Sequence, residues 1–193
     1  PDLARSVREG DAAIDLLDEQ INEEAARIIA QRQPIASDLR TVLSVFRISS
    51  NLERIGDYAK NIAKRSEVIM DHPPVNDSPS SLRRMARQVE LMLKDVLDAY
   101  IQRDADLAAD VRARDVDVDQ MYSALFREYL TFMMEDPRNI TTCMHLHFMA
   151  KNIERMGDHA TSIAEQVIYM VTGETPDEDR PKQEHLPADG TPG

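Results

Sequence analysis

The chain has 193 residues, a net charge of −12, 42% hydrophobic residues, 5% aromatics, no Trp and one cysteine, Cys143. A single cysteine excludes an internal disulfide and a cysteine-built zinc module, and favours a reducing compartment. The negative balance repels nucleic acid and anionic lipid, and the longest uncharged run, 139–150, falls short of the roughly 20 residues of a bilayer span.

Proline spacing leaves long uninterrupted segments that read as helices. The first, roughly 2–32, is predicted helical with a break at Gly10. Pro34 ends it, and 35–72 is proline-free. In that segment Val45, Ile48, Leu52, Ile55, Ala59, Ile62 and Ile69 keep three- and four-residue spacings, the seam of a helix packed in a bundle. The stretch from Asp71 to Pro79, with three prolines, reads as a loop between two halves, and Ser80 or Ser81 is expected to cap the next helix. The segment 80–136 exceeds an ordinary globular helix. It is expected to divide near Gln102-Arg103-Asp104, where the apolar stripe lapses between Ile101 and Leu107. The last segment, 138–175, carries the seam Leu146, Met149, Ile153, Met156, Ala160, Ile163, Val167 and Met170. The tail 174–193 holds six acids and two bases, hence −4 of the charge, without apolar periodicity, and reads as a disordered acidic tail.

Two segments repeat. Asn51-Leu52-Glu53-Arg54-Ile55-Gly56-Asp57-Tyr58-Ala59-Lys60-Asn61-Ile62-Ala63 aligns with Asn152-Ile153-Glu154-Arg155-Met156-Gly157-Asp158-His159-Ala160-Thr161-Ser162-Ile163-Ala164 at an offset of 101, with eight of thirteen positions identical. Upstream, Gly10-Asp11-Ala12-Ala13-Ile14-Asp15 aligns with Arg114-Asp115-Val116-Asp117-Val118-Asp119 at an offset of 104. The second copy has a helix ahead of this point, Leu82 to Ile101, that the first copy lacks. The expected architecture is therefore all-α, two three-helix bundles in tandem, with a helix of roughly 20 residues expected upstream of the given chain. The expected boundaries are 1–72 for repeat 1 without its first helix, 73–80 for the linker and 81–173 for repeat 2.

The chemistry candidates are the acids that both copies carry. Glu53 and Asp57, and Glu154 and Asp158, stand four apart and share a helix face. Like charges at that spacing cost about 0.2–0.5 kcal/mol, which a bound cation would remove. Asp11 with Asp15, and Asp115 with Asp119, repeat the arrangement on the helix expected to pack alongside, so each repeat can bring four carboxylates together. All-oxygen ligation suits magnesium, calcium, manganese or ferric iron, whereas zinc more often recruits His or Cys. The acids lie about 150° from the seam centre at 100° per residue, which predicts side chains pointing outward and a metal at the surface.

Plainer readings compete. Acid pairs at this spacing arise by chance in an acidic chain, and Arg54 and Arg155 could turn the motif into a metal-free ion-pair network. Gly56 and Gly157 cost about 1 kcal/mol each mid-helix, repaid either by an approaching backbone or cation, or simply by close helix packing. His145, His147 and His159 read as satisfied or exposed histidines, and the methionines on the stripes as core. No phosphate loop or nucleophile elbow is present. A carboxylate-bridged di-iron oxidase would need Glu-x-x-His pairs aimed into a bundle core, and Glu154 has no His three residues on.

The strings Gln33-Pro34-Ile35-Ala36-Ser37-Asp38-Leu39-Arg40, Leu52-Glu53-Arg54-Ile55-Gly56-Asp57-Tyr58-Ala59, Asn152 to Ala160 and Ile168 to Glu174 resemble the PhoU family of phosphate-transport accessory proteins, over residues 2–174. The resemblance implies a cytoplasmic, all-helical, commonly dimeric protein, not an enzyme, that negatively regulates the phosphate-starvation response and phosphate uptake. Its implied partners are the ATPase-bearing phosphate ABC transporter and the phosphate sensor histidine kinase. It further implies multinuclear clusters of iron, manganese, magnesium or zinc on Glu53, Asp57, Glu154 and Asp158, with Asp11, Asp15, Asp115 and Asp119 as further ligands. A metal-free helical scaffold is the remaining alternative.

Overall fold

A computed structural model describes residues 2–72, 75 and 78–176, and the side chains of 78 and 79 are not among them. The proposed disordered tail therefore lies, from residue 177 on, outside the described residues. Helix α1 is Asp2–Arg32, α2 is Ala36–Ile69, α3 is Ser78–Gln102, α4 is Ala105–Ala113, α5 is Asp115–Glu135 and α6 is Ile140–Thr172, with a 3-10 turn at Pro137–Asn139. Among the described residues there is no strand, and no helix is long and apolar enough to cross a membrane.

Each boundary has a local cause. Gln33 takes a left-handed φ of 47° and Pro34 cannot continue the helix, so α1 stops there. Arg103, at φ 54°, closes α3 while the Asp104 N–H donates to Ala99 O at 2.9 Å, a six-residue C-terminal lock. The Asp104 carboxylate then accepts from the N–H groups of Asp106 and Leu107, both at 3.0 Å, and so starts α4. The division therefore falls where the apolar stripe lapses. Asp136 repeats the device ahead of the 3-10 turn, accepting from Arg138 N at 2.9 Å. Gly173, at φ 82°, ends α6, and a Cβ there would meet the Arg40 guanidinium carbon at 3.2 Å.

Two expectations fail. Gly10 does not break α1, which runs on through it for 31 residues; the glycine permits a bend that nothing demands, and a Cβ there would meet no atom within 4 Å. The break occurs instead at the aligned position of the second copy, Arg114, between α4 and α5. There the guanidinium reaches back to Asp110 at 3.2 Å and across to Asp95 of α3 at 2.7 Å. Helix α3 starts at Ser78, so Ser80 and Ser81 fall inside it and not at its cap.

Helix α6 is the axis of the molecule and packs on α2, α3, α4 and α5, while α1 packs on α2. Its buried stripe includes Leu146, Met149, Ile153, Ala160, Ile163, Val167 and Met170, the seam read from spacing with Met156 only partly buried. Met85, Met92, Val96, Val111, Val118 and Tyr129 complete a core centred on the second repeat. Helix α1 is peripheral, with Asp11 and Ala25 its buried residues. Position for position, Ile14 is 37% exposed where its counterpart Val118 is 0% exposed, and Ala25 stands where the second copy has the buried Tyr129.

The Tyr129 hydroxyl is buried with no hydrogen-bond partner, and an unsatisfied hydroxyl costs about 1–3 kcal/mol. Tyr129→Phe should therefore raise the melting temperature, by about 1 kcal/mol of stability, read by thermal denaturation followed by circular dichroism.

Candidate functional site

Pairing α1 with α2, and α5 with α6, places the four acids of each copy along one interhelical face. In the first copy Asp11 is 5% exposed, and its Oδ2 is bonded to the Lys60 ammonium. The same ammonium lies 2.7 Å from Asp57 Oδ1. Arg54 adds looser contacts, 3.5 Å to Glu53 and 4.0 Å to Asp57. Further along α1, Asp18 accepts from Ser49 Oγ at 2.7 Å and from Asn22 Nδ2 at 2.9 Å. In the second copy Glu154 Oε1 accepts from Lys151 Nζ at 2.6 Å. Asp115 comes within 3.7 Å of where a Cβ on Gly157 would stand.

Apart from Asp15, the acids are not turned to open solvent, which corrects the outward orientation expected from the seam. They do face away from the α2–α6 contact, but α1 and α5 lie over that side. Side-chain exposure is 24% for Glu53, 31% for Asp57 and 12% for Glu154. Asp115, Asp119 and Asp158 are half-buried, and Asp15 is exposed. An amphipathicity argument that counts one packed seam per helix treats every other direction as solvent; α2 and α6 each have neighbours on two sides.

The glycines now have a physical role. A Cβ on Gly56 would stand 3.1 Å from Ile14 Cδ1 and 3.4 Å from Asp11 Oδ1; on Gly157 it would meet Val118 at 3.4 Å, Val89 at 3.6 Å and the Asp115 carboxylate at 3.7 Å. In the first copy the missing side chain lets the neighbouring helix bring an aliphatic residue and an aspartate close; in the second a Cβ would stand at ordinary contact distances from its neighbours. Of the two explanations, close helix packing is the one these side-chain neighbours match; none of them is backbone.

Burial raises the Glu53 carboxyl above its ordinary range, helped by the Asp57 charge and opposed by Arg54, with Asp15 and Asp18 adding to the rise. The Lys60 hydrogen bond holds Asp57 below its ordinary range, and Lys60 itself is pushed up, first by its hydrogen bond to Asp11 and then by that to Asp57. Glu154 is raised by burial; Lys151 opposes this, while the charges of Asp158 and Asp119 add to it. Both faces thus carry crowded negative charge.

Spacing did not single out Asp18, Lys60 or Lys151. Asp18 continues the Asp11 and Asp15 face at i+7 and i+3, and Lys60 stands three residues beyond Asp57, so helical periodicity applied to all charges would have found them. The arginines diverge: Arg54 meets its acids, whereas Arg155 lies 5.9 Å above the Tyr58 ring. His159 Nδ1 pairs with Asn51 Oδ1 at 2.7 Å, and His145 faces Arg65 at 3.5 Å. His147 departs from the expectation of satisfied or exposed histidines, since its Nδ1 is buried without a partner among aromatic rings.

Oxygen donors with orphaned lone pairs suit a hard cation. Asp11 Oδ1 and Glu154 Oε2 are buried with no hydrogen-bond partner, and the donors along both faces are carboxylates. Among the described residues no three acidic, His or Cys groups converge on one point as they stand, and in the first copy an ammonium bridges the two helices.

Residues 1–66 and 82–167 match the PhoU domain, so that each copy of the acid-bearing repeat falls within a matched stretch. The chain belongs to the PhoU family. A phosphate-specific transport system accessory protein PhoU homolog of Caulobacter vibrioides is 48% identical over 184 residues, 95% of this chain and 80% of that protein. The homolog from Rhizobium meliloti is 48% identical over 182 residues, 94% of this chain and 77% of the relative. The crystal structure of PhoU from Pseudomonas aeruginosa superposes with a TM-score of 0.86 at 42% identity, covering 90% of this chain and 83% of that one. The phosphate transport system regulatory protein PhoU from Streptococcus pneumoniae superposes with a TM-score of 0.83 at 30% identity, covering 91% and 82%. The all-α bundle is thus the architecture of the PhoU family.

The atoms nearest a Cβ on Gly157 lie at ordinary contact distances, so Gly157→Ala should recover most of the helix-propensity cost, about 1 kcal/mol, in thermal denaturation. The folded-state pKa of Glu154 lies above the ordinary 4.5, so stability linked to its proton is present below that value and is lost as pH rises through the folded one. Glu154→Gln should flatten this decline in chelator-containing buffer and raise the melting temperature at neutral pH.

Proposed function

We propose that this chain is a non-enzymatic negative regulator of the phosphate-starvation response and of phosphate uptake, acting in the cytoplasm as a homodimer. It would couple the phosphate ABC transporter, through its ATPase subunit, to the phosphate sensor histidine kinase. Family membership supports the phosphate-transport part of this reading, since relatives 48% identical over more than nine-tenths of the chain carry the name of phosphate-specific transport accessory proteins. The observation that carries the mechanism is the pair of half-buried carboxylate faces, each lying beside a mid-helix glycine and each leaving a buried oxygen unpartnered.

Glu53, Asp57, Asp11 and Asp15 on one face, and Glu154, Asp158, Asp115 and Asp119 on the other, would hold iron, manganese, magnesium or zinc. Such a cation, when bound, neutralises facing carboxylates and ties two helices together. The chain's own residues do the rest. The glycines set the interhelical approach, the apolar seam of α6 keeps the two faces in fixed relation, and the net charge of −12 presents an acidic surface suited to basic patches on a partner, where charge complementarity governs encounter and register.

A metal-free scaffold is favoured for the first face by one observation: the Lys60 ammonium already bridges Asp11 and Asp57. The two readings separate in the double variant Asp57→Ala, Asp158→Ala. Elemental analysis of protein purified without chelator should register less bound metal than in wild type, and a phosphate-starvation reporter in cells grown at high phosphate should turn on. A reporter that stays silent despite metal loss would make the faces structural only. Ferrous-dependent oxygen consumption by the wild type would instead point to an oxidase.

A further inference from the structure

The second repeat carries an apolar surface that its core does not use. Helices α5 and α6 lie side by side, joined by the turn at Pro137–Asn139. On one side of this pair Phe126, Leu130 and Met134 follow one another turn by turn along α5, and Phe148, Met144 and Ile140 do the same in reverse along α6. Each of the six is between 38% and 85% exposed. The strip is continuous across the pair, since the Phe126 ring stands 5.2 Å from that of His147, and His147 stands 5.8 Å from Phe148. Together the six side chains offer roughly 600 Å² of mostly apolar surface, the upper end of what a monomer ordinarily exposes in one patch. That is most of the roughly 800 Å² each partner buries in a standard interface. The first copy has no such strip: Asn22, Ala26, Ala30 and Arg47 stand where Phe126, Leu130, Met134 and Phe148 do, so the packing of the repeat does not require it.

We propose that this strip is the surface on which two copies of the chain pair, α5 and α6 of one lying on α5 and α6 of the other about a two-fold axis beside Leu130 and Met144. The inference rests on the homodimer proposed above and assigns its surface. A two-fold axis requires a self-complementary patch, because it lays each end of the strip on the opposite end of the other copy. The two ends suit one another. Phe126 and Phe148 form an aromatic end, and Met134 supplies the other with a flexible thioether that packs well against rings. Charge agrees with this. At the aromatic end the Arg65 guanidinium lies 4.3 Å above the Phe148 ring, while Lys151 is taken by Glu154. At the methionine end Asp136 is taken by Arg138, which leaves the exposed Glu135. In each half of the pair a basic end thus meets an acidic one, which fixes register. The apolar surface between α1 and α2 has a different form. Val7 and Ile62 line one hollow there and Ile21 and Val45 another. Their counterparts Val111, Ile163, Leu125 and Leu146 belong to the core on which α3 packs. That groove is shaped like the seat of a single helix, not like a face for a second helix pair.

Sedimentation equilibrium of the full chain, at neutral pH and in chelator so that metal bridging plays no part, measures the pairing. Wild type should sediment at twice the chain mass. Met144→Glu and Met144→Lys each set like charges against one another across the axis, and each should weaken self-association by more than about tenfold with the circular dichroism spectrum unchanged. Mixed in equal amounts, the two variants should pair again, because opposite charges then face each other; a variant that had merely lost its fold would not recover in this way. Leu17→Glu, in the groove between α1 and α2, should keep the wild-type mass. A dimer that survives both Met144 variants, or that Leu17→Glu alone dissolves, overturns the inference while the homodimer reading stands. Met144 variants that fall apart and do not pair on mixing overturn the two-fold arrangement and the inference with it. A wild type that stays at the mass of one chain overturns both.

Discussion

The structure depends on how carboxylates that repel one another are held across a narrow interhelical gap. Two unit charges 4 Å apart repel by about 1 kcal/mol in water and about 4 kcal/mol at the effective dielectric of a protein surface. Here burial raises the pKa of Glu53 and Glu154 and adjacent acids reinforce the rise. Gly56 lets α1 bring Asp11 close to the acids of α2. Crowded like charges need positive charge in return, and the chain supplies Lys60 to the first copy and Lys151 to the second.

This constraint also explains the uneven build of the two halves. Helices α3 to α6 share a continuous apolar core, in which Met85, Met92, Val118, Tyr129 and Ile163 are fully buried. Helix α1 buries little beyond Asp11 and Ala25. It meets α2 through Ile14 beside Gly56 and through polar contacts: Asp11 with Lys60, Asp18 with Ser49, and Arg8 with Glu67 at 3.2 Å. The acid face of the first copy is therefore also the surface on which α1 docks. Its partly exposed ion pairs are open to screening by salt, whereas the second copy rests on apolar burial that salt leaves intact.

Single-seam periodicity was reliable for α6 because that helix is apolar along most of its length, and its buried residues reproduce the spacing from Leu146 to Met170. The division of 80–136 was equally legible, since Asp104 both follows the end of one helix and caps the next. Breaks tied to long-range contacts were not. Gly10 has a sequence signature for a break and keeps its helix; Arg114 has none, and the break lies there, with its guanidinium reaching Asp95 on another helix.

Composition, proline punctuation and the internal repeat were enough to read helical class, helix order and the duplicated acid pairs, because each is a local or self-referential property of the chain, while the likeness to PhoU lay in its motif strings. The direction in which those acids face, the room Gly56 makes for the neighbouring helix, and the ammonium bridging Asp11 to Asp57 required the packed molecule. Each of these depends on which helix lies against which, and that is settled by burial summed over the whole core, where residues 49 apart, such as Asp11 and Lys60, become neighbours.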